Sequence, residues 1–164
     1  NAILISTSGY NQKIQIINNR IENFFFLGIA SWGNSFLHIE GNRLVSTLGN
    51  RYAKSSCINP MGGNAIIKNN IIYGCSNPQD VHEPWGDFFW GMVGLDINDT
   101  RNVLILNNTI ENCNPGILFG IFSSNNVELG SSKVIGNKFI NNTVNELYYQ
   151  TTRDEIIWRN NIFE

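Results

Sequence analysis

Six segments of this chain align on one asparagine, and that repeat limits the fold more than any other feature. They are Ile14 to Ile21 (IQIINNRI), Leu37 to Leu44 (LHIEGNRL), Ala65 to Ile72 (AIIKNNII), Val103 to Ile110 (VLILNNTI), Ser132 to Phe139 (SKVIGNKF) and Ile156 to Phe163 (IIWRNNIF). The anchors are Asn19, Asn42, Asn70, Asn108, Asn137 and Asn161. Three residues before each anchor, and two after it, every position is apolar. The residue just before the anchor is only Asn or Gly, the types that most readily accept positive φ, so the spacing predicts a left-handed bend there. Period-two alternation leads into the bend, so each unit reads as strand, bend, strand. The units recur in the same sense every 23, 28, 38, 29 and 24 residues, which excludes hairpins. Same-sense strands at this spacing stack as a solenoid of about six coils, each roughly 4.8 Å above the last. The expected fold is therefore all-β: a single-stranded parallel β-helix over 1–164 with an asparagine ladder at one corner.

Composition agrees. The 164 residues include 27 Asn and 23 Ile against 4 Ala, a usage that disfavours helix because Asn competes with helical hydrogen bonds. Only 15% of residues are charged and the formal charge is -2, so no basic stripe exists for nucleic acid. The longest apolar run, Phe24 to Ala30, is far shorter than the roughly 20 residues a membrane span needs. No zinc-like Cys/His spacing, phosphate-binding glycine loop or nucleophile elbow occurs; a metal site is not expected and no cofactor is indicated. The chain opens on Asn1 and its repeat is still running at Phe163, so it reads as a fragment of a longer solenoid. Its ends need either flanking coils or a homo-oligomeric partner to cover them.

A further strand per coil fits upstream of the anchors, at Ile3 to Thr7, Gly28-Ile29-Ala30, Gly94-Leu95-Asp96 and Leu147-Tyr148-Tyr149. For the coil ending at Asn137, both Gly116-Ile117-Leu118 and Gly120-Ile121-Phe122 fit. The main irregularity is an insertion over 73–93, which carries Asp80, His82, Glu83 and Asp87 with Trp85, Phe88, Phe89 and Trp90. Indole faces cover the apolar side of a sugar ring while carboxylates bind hydroxyls or move protons, so the loop suits a saccharide. It suits equally a mini-core that pins a long loop to the rod. Asp96 follows inward Leu95 and is expected to face outward at the foot of the loop. With Asp80, Glu83 and Asp87 it would supply the paired carboxyls of a glycoside hydrolase, which stand about 5 to 9.5 Å apart.

The pattern G-I/L-x-I, about ten residues, I-x-I-x-N-N-x-I resembles the right-handed parallel β-helix repeats of the pectate-lyase-like superfamily. That resemblance implies a ladder of stacked inward Asn side chains and a membership of lyases, hydrolases, epimerases, esterases, tailspikes and adhesins. Asp80-Val81-His82-Glu83 resembles the Asp-Pro-His-Glu/Asp signature of mannuronan C5-epimerases, without the Pro. Their chemistry needs a base, an opposed proton donor and neutralisation of a uronate carboxylate. Here the resemblance implies proton transfer by His82 or Tyr73 and neutralisation by Lys68, Arg43 or Arg20.

The candidate catalytic residues are thus Asp80, His82, Glu83 and Asp96, and the candidate substrate-binding residues Trp85, Asp87, Trp90, Tyr73, Lys68 and Arg43. The expected function is binding and modification of an extracellular polysaccharide by a lyase, hydrolase or epimerase at a cell or virion surface. A non-catalytic tailspike or adhesin shaft is the alternative. Cys75 and Cys113 each lie five residues after an anchor, so they are expected to stack, either as a disulfide or as two buried thiols, with Cys57 left over. Trp158 falls in an inward column and is expected in the core.

Overall fold

The computed structural model describes residues 2–6, 12–24, 27–33, 35–46, 55–74, 92–120, 130–142, 146–149 and 155–164. Among them every regular element is a strand, and the strands form three sheets of six. The first sheet stacks β1 (Ile3–Ser6), β4 (Leu27–Trp32), β7 (Ser55–Met61), β10 (Met92–Asn98), β13 (Ile117–Gly120) and β16 (Glu146–Tyr149). The second stacks β2 (Lys13–Ile17), β5 (Phe36–Glu40), β8 (Asn64–Lys68), β11 (Val103–Leu106), β14 (Ser132–Ile135) and β17 (Ile156–Arg159). The third stacks β3 (Arg20–Glu22), β6 (Arg43–Val45), β9 (Ile71–Tyr73), β12 (Thr109–Glu111), β15 (Lys138–Ile140) and β18 (Ile162–Phe163). All pairings are parallel, and each strand pairs with its counterpart one coil away. Each coil contributes one strand to each sheet, as a solenoid requires.

The inward columns are those of the repeat. Ile16, Ile39, Ile67, Ile105 and Val134 are buried along the second sheet, and Ile21, Leu44, Ile72, Ile110 and Phe139 along the third. Trp158 packs against this core, edge-on to Phe119 with ring centres 6.3 Å apart. Burying such a side chain contributes about 1.5 to 3 kcal/mol, so the columns supply the main driving force for stacking.

All six residues before the anchors have positive φ: Asn18 57°, Gly41 65°, Asn69 57°, Asn107 51°, Gly136 66° and Asn160 53°. The next residue turns its amide inward. Each anchor from Asn19 to Asn137 donates both its backbone N–H and its Nδ2 to the Oδ1 of the anchor one coil on, at 2.9 to 3.1 Å. Nδ2 also donates back to a carbonyl of the preceding coil, as in Asn108 to Ile67 O at 2.9 Å and Asn161 to Val134 O at 2.8 Å. The bend frees backbone groups that would otherwise be buried unpaired, and one short amide per coil satisfies them.

Two further bends escaped the repeat alignment. Gly33, Gly62 and Asp99 have positive φ after the first sheet, and Asn23, Asn112 and Asn141 after the third. The first-sheet register is also less regular than the anchors suggest. Ile117 pairs with Leu95, which selects Gly116-Ile117-Leu118 for the fifth coil. Tyr148 lies opposite Phe119, and Phe119 opposite Ile97, so β16 sits two residues away from the register implied by counting back from Asn161. An even slip keeps the same residues facing inward, which is why the pattern alone cannot detect it.

Candidate functional site

Alternation along β10 turns Leu95 and Ile97 into the core, so Asp96 and Asn98 face outward. Outward residues on a solenoid are normally solvated, yet Asp96 is 1% exposed and Asn98 2%. Leu95 pairs with Ile58, which sets Asn59 opposite Asp96. Asn59 Nδ2 donates to Asp96 Oδ2 at 3.1 Å, and Asn98 Nδ2 donates to Asp96 Oδ1. The carboxylate thus holds two carboxamides by their nitrogens. Their oxygens, Asn59 Oδ1 and Asn98 Oδ1, are buried and accept no hydrogen bond. An unmet buried acceptor costs about 1 to 3 kcal/mol, so this pair is an unusual expenditure in a rod whose corner amides are fully matched.

The neighbouring outward column adds an aromatic surface. Trp32 pairs with Met61, one coil below the level of Asn98. Trp32 is 39% exposed. It stands two coils from Asn98, roughly 10 Å along the rod axis. A flat apolar face and a pair of unmet oxygens therefore share one side of one sheet. Asn59 went unnoticed in the sequence because no upstream strand had been assigned to the coil ending at Asn70, and Trp32 lies just past the Gly28-Ile29-Ala30 segment that had been assigned. The signal was present in the Ile58-to-Leu95 correspondence.

The other anticipated residues are spread around the rod. Lys68 is on the outward face of the second sheet, where its Nζ lies 3.1 Å from Glu40 Oε2. His38 Nε2 is 2.9 Å from the same oxygen, close but without hydrogen-bond geometry. The Lys68 ammonium holds the Glu40 carboxyl below the usual glutamate range, with His38 and Asn69 acting in the same direction. This cluster too was legible, since Glu40 and Lys68 both stand two residues before an anchor. Arg43 and Tyr73 face outward on the third sheet. Arg43 Nε is 4.0 Å from Glu22 Oε1, and Arg20 Nε 2.7 Å from it. Asp96, Lys68 and the Arg43–Tyr73 pair therefore occupy three different faces. Asp80, His82, Glu83, Trp85, Asp87 and Trp90 lie outside the described residues. The insertion's flanks are assigned: Tyr73 ends β9, and Met92 and Val93 open β10.

Cys75 also lies outside the described residues. Cys113 and Cys57 are both buried free thiols, near enough for each to affect the other. Burial pushes the Cys57 thiol well up from its ordinary value, and the contact with Cys113 adds to that, so it is a poor nucleophile. Among the described residues no three His, Cys, Asp or Glu side chains gather as a metal site, and no helix is long and apolar enough to cross a membrane.

Residues 1–163 match the family model described as the right handed beta helix region. The chain belongs to that family, and its solenoid is a right-handed parallel β-helix. No curated protein and no solved structure matches it.

Proposed function

We propose that this β-helix segment binds an extracellular polysaccharide along the outward face of its first sheet, and that the insertion leading into β10 supplies groups that modify the bound chain. The observation that carries the reading is the Asp96 cluster: a buried carboxylate orients two carboxamides whose oxygens accept nothing, on the same face as exposed Trp32. A sugar hydroxyl is the kind of donor these buried oxygens lack, and an indole covers the apolar face of a pyranose. Asp96 acts here as a positioning residue. Proton transfer falls to Asp80, His82 and Glu83, and further stacking to Trp85 and Trp90 with Asp87 beside them.

The alternative, a shaft without chemistry, draws support from the other two faces. Several of their charges are engaged in ion pairs that suit solubility, such as Lys138 Nζ to Glu164 Oε2 at 2.9 Å. A panel of neutral and uronate-containing polysaccharides separates the readings when assayed for binding, new reducing ends, ultraviolet absorbance of an unsaturated uronate, and epimerisation by proton NMR. Binding with turnover that His82→Ala abolishes supports the enzyme, and binding without turnover supports an adhesin. No binding by any polysaccharide contradicts the proposal.

A further inference from the structure

We infer that the outward face of the second sheet is a docking surface for a protein partner, and that its occupant is an acidic amphipathic helix. This face is separate from the first-sheet site and its role does not rest on that site. Alternation along β8, β11, β14 and β17 sends Ile67, Ile105, Val134 and Trp158 inward and leaves Ile66, Leu104, Leu106, Ile135 and Ile157 on the outside. Outward positions on a rod are normally polar. These five are aliphatic and half-buried, and they belong to neither core cluster. Register joins them into one patch: Leu104 pairs with Ile66, Leu106 with Ile135, and Ile157 stands one coil beyond Lys133.

The charge around the patch has one sign. In the column of Leu106 and Ile135, Lys68 stands one coil before and Arg159 one coil after. Lys133 interrupts the other column, between Leu104 and Ile157. Lys133 and Arg159 are exposed, and among the described residues neither pairs with an acid, whereas Lys68 is shared with Glu40. The strands of this sheet hold Lys13, Lys68, Lys133 and Arg159 against Glu40 alone, with Glu155 just ahead of β17, in a chain whose formal charge is -2. Such a face is complementary to apolar groups bordered by carboxylates. Since β8, β11 and β14 are paired on both edges, their backbone groups have no bond to offer a partner lying on the face. The occupant must satisfy its own backbone while presenting side chains, as a helix does. No aromatic side chain faces outward on these four strands, so a sugar ring has nothing to stack on. Aliphatic groups half-buried in a sheet face cannot sink into acyl chains as an interfacial helix does, which disfavours a membrane. Lys68 and Arg159 stand three coil steps apart, roughly 14 Å, so matching carboxylates lie about ten residues apart on a helix aligned with the rod.

The test is a fluorescence-anisotropy titration of the intact chain with labelled helical peptides of about 18 residues, or five turns. One carries a leucine stripe flanked by Glu at that spacing, one the same stripe flanked by Lys, and one the Glu composition scrambled; phosphatidylglycerol vesicles form a separate arm. The Glu-flanked helix is expected to bind about tenfold or more tighter than either other peptide, and to lose that margin at high salt as exposed charges are screened. Leu106→Asn is expected to weaken its binding about tenfold. Lys133→Glu with Arg159→Glu is expected to turn the preference toward the Lys-flanked helix without moving the melting temperature, both positions being exposed. A preference that does not follow the charge reversal overturns the inference, as does binding by none of the peptides or stronger binding to the vesicles. Amide NMR shifts locate the contact without any variant: they are expected at residues 66, 104, 106 and 135, and shifts confined to the other two sheets overturn the inference.

Discussion

Asparagine does opposite work in two regions of this molecule. At the corner between the second and third sheets, Asn42, Asn70, Asn108 and Asn137 use both ends of the carboxamide, accepting from one coil and donating to others. On the outward face of the first sheet, Asn59 and Asn98 use only the nitrogen, and their oxygens are left without donors. Both environments are buried, so the contrast is not one of solvent. Where each polar group is matched inside the rod, the amide stabilises the fold. Where half of it is unmatched, stability has been forgone, and a buried unmatched group calls for an explanation other than stability.

The largest expected effect lies at the join from the first sheet to the second. A Cβ at Gly63 would overlap the Ser35 carbonyl, and because the obstacle is backbone it cannot swing aside as a side chain could. Gly63→Ala is expected to remove more than about 4 kcal/mol, seen as loss of soluble, cooperatively melting protein. Normal melting would show that this join tolerates change as a loose loop would. At the ladder corner the tolerance should follow φ instead. Gly41 has φ of 65°, close to that of the Asn residues in the same role. Gly41→Val is expected to cost about 2 kcal/mol by denaturant unfolding, and Gly41→Asn less than about 1. Equal costs would mean that the corner is limited by space and not by backbone conformation.

The smallest effect belongs to the half-exposed ion cluster of the second sheet. Glu40 has a lowered folded-state pKa, so its contribution to stability is present above the unfolded value and is lost as pH falls through the folded one. Lys68→Met should move the Glu40 carboxyl titration upward by NMR and leave stability nearly unchanged. No movement would show that Lys68 is not the dominant partner.

The ladder corner was readable because each of its constraints is local and repeats: an αL residue, then an inward amide, then an apolar residue two further on. Chain-order arithmetic was enough to stack Asn70 on Asn108. The first sheet was read less completely because its links to the second vary in length. Ile29 stands 13 residues before Asn42, whereas Ile117 stands 20 before Asn137. Counting back from the anchor therefore misplaces β16 by two residues and leaves β7 unassigned, and with β7 went Asn59 and the Cys57 contact. The outward direction of Asp96 followed from alternation beside Leu95. Its burial did not, because burial depends on what covers a face, and alternation is silent on that.

The contrast between the two regions is tested most directly by urea unfolding of Asn108→Ala and Asn98→Ala beside the parent chain. Asn108→Ala strands the Ile67 carbonyl and the donors of Asn70, and should cost about 3 kcal/mol. Asn98→Ala loses one donor to Asp96 but also deletes an unmet oxygen, so it should stay within about 1 kcal/mol of the parent. The reverse order, with Asn98→Ala the more damaging, would contradict the assignment of the corner to stability and the first-sheet face to binding.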